Sequence, residues 1–139
     1  MEPVHTNELP RVEIRSDEDE TINWGGAFAA YGGQGADQSS VVVFEIAPQG
    51  HLGWHTDQTE ESQYIISGTG ILKVDDREYP VHSGTVFVVP TNVRHDLVNT
   101  GDEPLRAVAF FAAAMFTQKF DNVLQPAGSR VVGTPNRNG

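Results

Sequence analysis

Hydrophobic and polar positions along this chain alternate or gather in short runs, and few windows carry the period of a helix. Val41-Val42-Val43-Phe44-Glu45-Ile46 is a β-branched run stopped by Pro48 and Gly50, which predicts a strand. Tyr64-Ile65-Ile66 predicts another, leading through Ser67-Gly68-Thr69-Gly70 into Ile71-Leu72-Lys73-Val74. Asp75-Asp76 separates that run from Glu78-Tyr79-Pro80-Val81, the pattern of a hairpin. Thr85 to Val89 (ended by Pro90), His95 to Val98 and Arg106 to Phe111 continue the series, with Thr100 to Pro104 as the last connection. Short strands at a spacing of roughly 8–12 residues predict an all-β sandwich or barrel, not a helix-covered parallel sheet.

The ends carry weaker patterns. Trp24 to Tyr31 predicts an early strand, with Gly32-Gly33-Gln34-Gly35 as a flexible loop after it. Ala112 to Leu124 predicts a short helix through Phe116, Phe120 and Val123-Leu124. Ser16-Asp17-Glu18-Asp19-Glu20 is expected to be a solvated loop without chemistry, because unspaced carboxylates repel and favour water. Gly133 to Gly139 is expected to fray or to lie across a partner subunit. With no internal repeat, residues 1–139 are expected to form one domain, with a barrel core at about 40–112, an arm at 1–23 and a tail at 113–139. Trp24, Trp54, Phe87, Phe110 and Phe111 are the aromatic core candidates, some of which can line a pocket.

Composition narrows the chemistry. A chain of 139 residues can bury a core without staples, and it has no cysteine, so disulfides, thiolate clusters and thiol nucleophiles are excluded. Any metal must be held by nitrogen and oxygen. A formal charge of −10 argues against nucleic acid and anionic membrane as partners. No apolar run approaches the ~20 residues of a span, and the N-terminus lacks the pattern of a secretion signal, so a cytoplasmic protein is expected. Within this frame, Trp54 to Gly68 and Gly84 to Asn99 each set imidazole or carboxylate groups beside β-forming runs closed by Gly or Pro. Together they can present two histidines and one or two carboxylates to a single iron, manganese, nickel or zinc ion, with positions left open.

These two segments resemble the motifs of the cupin superfamily in its small single-domain microbial form. His55 matches the first histidine of the first motif, Glu61 its glutamate and Gly68 its closing glycine, with Tyr64 at a position often aromatic. Gly84, Pro90, His95 and Asn99 match the second motif, whose usual inner glycine is here Asn92. The resemblance covers Pro48 to Asn99 and implies a jelly-roll barrel, or double-stranded β-helix, with short irregular or helical terminal segments. Where the family places its second histidine, this chain has Asp57. The implied ligands are His55, Asp57, Glu61 and His95, or three of these, around one divalent ion. His55 and Asp57 lie two apart, so one extended segment turns both to the same side.

Alternatives stand beside each role. A histidine is commonly a half-buried imidazole satisfied by hydrogen bonds, and Glu61 can be an edge carboxylate like Glu60. Asp57 can be a ligand, a carboxylate orienting an imidazole N–H, or a turn residue. His51 can replace the missing histidine or sit at a loop or pocket rim. Glu61 and Tyr64 are the catalytic candidates, while His51, Trp54, Gln63 and Arg94 are the substrate-pocket candidates. Arg94 and Arg106 can meet a substrate anion, although a surface place suits both, and His5 and His82 have no partners at useful spacing. The expected activity is a metal-dependent enzyme on a small oxygenated, aromatic or apolar molecule, with dioxygenase chemistry first. A non-redox isomerase, lyase or cyclase of the polyketide-cyclase kind is the second reading, and a binding module with a structural metal the third. Exposed edge strands make a homodimer the expected assembly.

Overall fold

A computed structural model describes residues 2–135 of the chain. The expectation for the last residues therefore lies, from position 136 on, outside the described residues. Strands β1 (Val12–Arg15), β2 (Asn23–Ala30), β3 (Ser40–Ile46), β4 (His55–Asp57), β5 (Glu61–Ser67) and β6 (Thr69–Val74) are followed by β7 (Arg77–His82), β8 (Val86–Val89), β9 (His95–Asn99), β10 (Leu105–Phe111), β11 (Thr117–Leu124) and β12 (Ser129–Gly133). They form two six-stranded sheets, ordered β1-β2-β3-β10-β5-β8 and β12-β11-β4-β9-β6-β7. Sequence-distant strands pair antiparallel, such as β10 with β3 and β4 with β9. This is a jelly-roll barrel, a double-stranded β-helix, and alternation along each strand decides what it encloses.

One sheet lines the interior with Phe44 and Ile46 of β3, Ile65 of β5, and Leu105, Ala107, Ala109 and Phe111 of β10. The other contributes Leu72 and Leu97. Phe116 stacks on Phe111 with ring centroids 4.0 Å apart. Ile14, Ile22, Phe120 and Leu124 make a second cluster, and Trp24 packs against both. Phe110 does not join the core. Its neighbour Phe111 is 3% exposed and Phe110 48%, because adjacent positions on a strand face opposite sides.

The turns follow local chemistry. Asp75 and Asp76 make the two-residue connection of the β6–β7 hairpin, and Asp75 takes a φ of 51°, a conformation Asp tolerates better than most residues. Pro80, which cannot donate to a ladder, sits on β7 at the edge of its sheet. Gly68 has a φ of 96°, and a Cβ there would come within 2.8 Å of the Pro104 carbonyl. Asn92 has a φ of 62°, so asparagine supplies the left-handed residue in the loop before β9.

The expected helix at Ala112 to Leu124 is instead a bend followed, from Thr117, by strand β11. Phe116, Phe120 and Leu124 recur every four residues, a spacing that satisfies a strand's period of two as well as a helical face. Pairing with β4 and β12 decides for the strand. The sheets also reach beyond positions 40–112, through β1, β2, β11 and β12. The acidic loop before β2 is not merely solvated: Ser16 is buried, Glu18 accepts the Val123 N–H, and Asp19 caps Thr21. Among the described residues no helix is long and apolar enough to cross a membrane.

Candidate metal centre and cavity

Register builds the site. His55 of β4 pairs directly with His95 of β9, so both rings face the interior with centroids 4.1 Å apart. On the other side of β4, Phe120 pairs with His55 and Gln118 with Asp57. Phe120 lies flat on the His55 ring at 4.4 Å, which continues an aromatic ladder across three strands. The opposite sheet brings Glu61 and Gln63 inward from β5. His55, Asp57, Glu61, Gln63 and His95 are all at least 97% buried.

Each of these side chains has one polar atom held by a hydrogen bond, and all but His55 leave another without a partner. His55 Nδ1 donates to the Gly53 carbonyl at 2.8 Å and His95 Nδ1 to the Val93 carbonyl at 2.9 Å, which turns both Nε2 atoms inward. Gln118 Nε2 donates to Asp57 Oδ1 at 2.8 Å, and Gln63 Nε2 to Glu61 Oε2 at 3.0 Å. The atoms without a hydrogen-bond partner are Asp57 Oδ2, Glu61 Oε1, Gln63 Oε1 and His95 Nε2. His95 Nε2 lies 3.4 Å from Asp57 Oδ2 and 3.3 Å from Glu61 Oε1 without hydrogen-bond geometry. Unpaired polar groups in a dry interior cost about 1–3 kcal/mol each, so their convergence fits a bound cation. His55, Asp57 and His95 offer ligand atoms all within 4.8 Å of one another. Two nitrogens and carboxylate oxygens suit a divalent transition metal, and the outward bonds set the tautomers that ligation needs.

Electrostatics agree with the geometry. Burial, together with the charge of His95, lowers the His55 pKa to about 4, so its ring is neutral and can donate a lone pair. Burial raises the Glu61 pKa to about 7, with the nearby Asp57 adding to the shift. His95 is pulled down by burial, but Glu61 and Asp57 outweigh that and raise it.

The other candidates lie elsewhere. Tyr64 is 44% exposed on the outer face of β5, between inward Gln63 and Ile65, so it does not reach the site. Trp54 and Arg94 are also away from it, correcting their place in pocket and core. The Arg94 guanidinium covers the Trp54 ring at 4.2 Å and pairs with Asp121 on the surface. Arg106 pairs with Glu45 on the outside of the barrel. His51 stands apart, bonded to Asp96 and Asp19, whose carboxylates raise its pKa against the opposing effect of burial. Gln118 and Phe120 were missed, since the segment expected to be helical gave no reason to bring them to β4.

Two of the metal candidates, His55 and Glu61, line a cavity of about 610 Å³. Trp24, Phe28, Phe44, Phe111 and Phe120 supply aromatic wall, while His55, Glu61 and Gln118 supply polar floor. Tyr31 and Gln34, together with Leu9 and Pro10 of the arm and Pro126 and Pro135 of the tail, also line it.

Residues 42–111 match the cupin domain family, Cupin_2. The chain belongs to the cupin family. Over 75 residues this cupin is 31% identical to protein SchB of Streptomyces halstedii, a match covering 53% of the chain and 54% of SchB. It thus spans about half the length of that curated relative. The polyketide cyclase RemF of Streptomyces resistomycificus has a similar structure, with a TM-score of 0.67, 22% identity, and 80% of this chain and 78% of RemF covered. Bacillus subtilis oxalate decarboxylase, described for its Mn(II) centres, gives 0.64 and 24%, with 77% of this chain and 30% of that one covered. At these identities the two structures show a shared fold.

The shifted groups set a pH dependence. In the metal-free chain Glu61 and His95 hold protons more tightly folded than unfolded, so their stabilisation fades as pH rises, from about 4.5 for Glu61 and about 6.5 for His95. His55, lowered, acts oppositely between about 4 and 6.5 and offsets Glu61 there. Above pH 6.5 only losses remain. A metal that displaces those protons binds better as pH rises. The melting-temperature gap between metal-loaded and metal-free protein is therefore expected to widen between pH 6.5 and 8, by about 3 to 6 °C for each proton released per pH unit. Calorimetric scans of both forms across that range check it, and a constant gap would contradict it.

Proposed function

We propose that this cupin is a metal-dependent enzyme that moves protons on a largely apolar, ring-bearing molecule with neighbouring oxygens, in a cyclase, isomerase or lyase reaction. The observation that carries this reading is the convergence of unpartnered donor atoms from both sheets, one of them on Glu61, which lines an apolar cavity together with His55. His55, Asp57 and His95 would hold a divalent iron, manganese, nickel or zinc ion, with Glu61 facing them from the second sheet. When bound, such a metal supplies Lewis acidity, which lowers the pKa of a carbon acid or hydroxyl whose oxygen it meets.

The chain's own groups do the rest. Glu61 Oε1 accepts the released proton and returns it to the product, a role suited to a carboxyl held near neutrality. Gln63 ties down the other Glu61 oxygen, so the basic lone pair keeps its direction. Phe44, Phe111 and Phe120 grip the ring system and exclude water from the polar floor. The resemblance in fold to a polyketide cyclase supports this reading.

A second reading rests on one feature. His55, Asp57 and His95 by themselves make a two-histidine, one-carboxylate set, the type found in non-haem Fe(II) oxygenases. Oxygen dependence separates the two. Metal-loaded protein is offered a panel of 1,3-diketones, phenols and catechols under argon and in air. Turnover under argon is the expected result. Oxygen uptake coupled to turnover, with silence under argon, would replace it with the oxygenase reading.

A further inference from the structure

His51 and Asp96 lie outside the donor cluster, yet they connect to it through a short chain of hydrogen bonds. His51 Nδ1 is 2.6 Å from Asp96 Oδ2, and its Nε2 is 3.0 Å from both Asp19 Oδ2 and Thr21 Oγ1. Asp96 is 1% exposed and follows His95 on β9, so alternation turns it to the opposite side of the strand. There the loop joining β3 to β4 folds over it. Asp96 Oδ1 accepts the N–H groups of Gly53 at 2.9 Å and Leu97 at 2.8 Å. The carbonyl of that same Gly53 takes the Nδ1 proton of His55.

Loop and strand are also tied through the backbone, from Leu52 to Leu97 and from Asn99 to Gly50. Those bonds fix where the loop runs. The plane of the Gly53 peptide groups is a separate matter, since Gly53 sits at a φ of 103°, where few side-chain-bearing residues rest and local rotation is easy for glycine. Asp96 grips its N–H from one side, while Trp24 Nε1 donates at 3.0 Å to the Leu52 carbonyl of the same peptide group, and the two together hold that plane. A buried carboxylate is costly unless its lone pairs are filled, and here His51, Gly53 and Leu97 fill them. His95 has no such support, because its Nδ1 is anchored on Val93 in the loop before β9.

We infer that Asp96, itself held by His51, is a positioning residue for the metal centre: through Gly53 it fixes the orientation and tautomer of His55 so that Nε2 faces the other donors. The consequence for metal affinity rests on the metal-centre reading, whereas the consequence for the His55 ring does not. The effect is asymmetric. Disturbing Asp96 loosens His55 and leaves His95 in place.

Asp96→Ala, which removes the acceptor of the Gly53 N–H, tests this in the full chain, with two readouts. Nitrogen-15 NMR of the imidazoles in metal-free protein is expected to show His55 as a single Nδ1–H tautomer in the unaltered chain and as a mixture in the variant, with His95 signals unmoved. Co(II) titration followed by absorbance is expected to show affinity reduced about 10- to 100-fold, the range seen when groups supporting a ligand are removed. His51→Gln, at a partly exposed position, should act in the same direction with a smaller effect, and it carries the test if Asp96→Ala does not fold. A folded variant with an unchanged His55 tautomer and unchanged Co(II) affinity would overturn the inference. So would equal disturbance of both histidines, which marks general loosening. If the unaltered chain takes up no Co(II), the metal-centre reading fails, and the His55 tautomer still decides the role of Asp96.

Discussion

His95→Ala is expected to abolish stoichiometric metal after dialysis and to weaken Co(II) or Mn(II) binding by well over the roughly 100-fold typical of outer supports. The reason is geometric. His95 Nε2 sits between Asp57 Oδ2 and Glu61 Oε1, so its removal leaves the carboxylates of two sheets without the nitrogen that bridges them. Gln118→Leu provides the graded comparison. It frees Asp57 Oδ1 but removes no donor to the metal, and a loss of about 10- to 100-fold is expected. Elemental analysis and competitive titration measure both. Full metal content in His95→Ala would end the assignment of the centre.

Phe120→Ala is expected to destabilise the protein by about 3–5 kcal/mol, the usual cost of emptying a buried aromatic site. Phe120 is 2% exposed, stacks on His55 and on Trp24, and belongs to the cluster that packs β11 against Ile14 and Ile22. Truncation thus opens a void beside His55 and weakens the strand that carries Gln118. Phe120→Leu, which keeps most of the volume, should cost less than half as much. Urea midpoints at constant slope give the difference, and a change below about 1 kcal/mol for the alanine variant would show that β11 is held by other contacts.

Part of this was legible in the chain. Val41 to Ile46, the Asp75-Asp76 hairpin and the run ending at Pro90 announce strands because β-branched residues and turn formers act locally. The spacing of His55 and Asp57 likewise announces a shared face, since a strand's alternation needs no partner. Phe116, Phe120 and Leu124 were misleading for a local reason too, as a spacing of four fits both periods.

Other features depended on pairing. Tyr64 and Phe110 look like site and core residues in isolation, and only the placement of β5 and β10 in their sheet turns them outward. That Asp57 is a buried strand residue and not a turn residue depends on pairing with β11, where Gln118 arrives 61 positions later and occupies one of its oxygens. The sequence by itself determined that the chain is a β barrel carrying imidazoles and carboxylates at strand positions, because side-chain alternation and turn chemistry are properties of neighbouring residues. Only the tertiary structure decided which atoms are left without partners, because that depends on register between strands far apart in the chain.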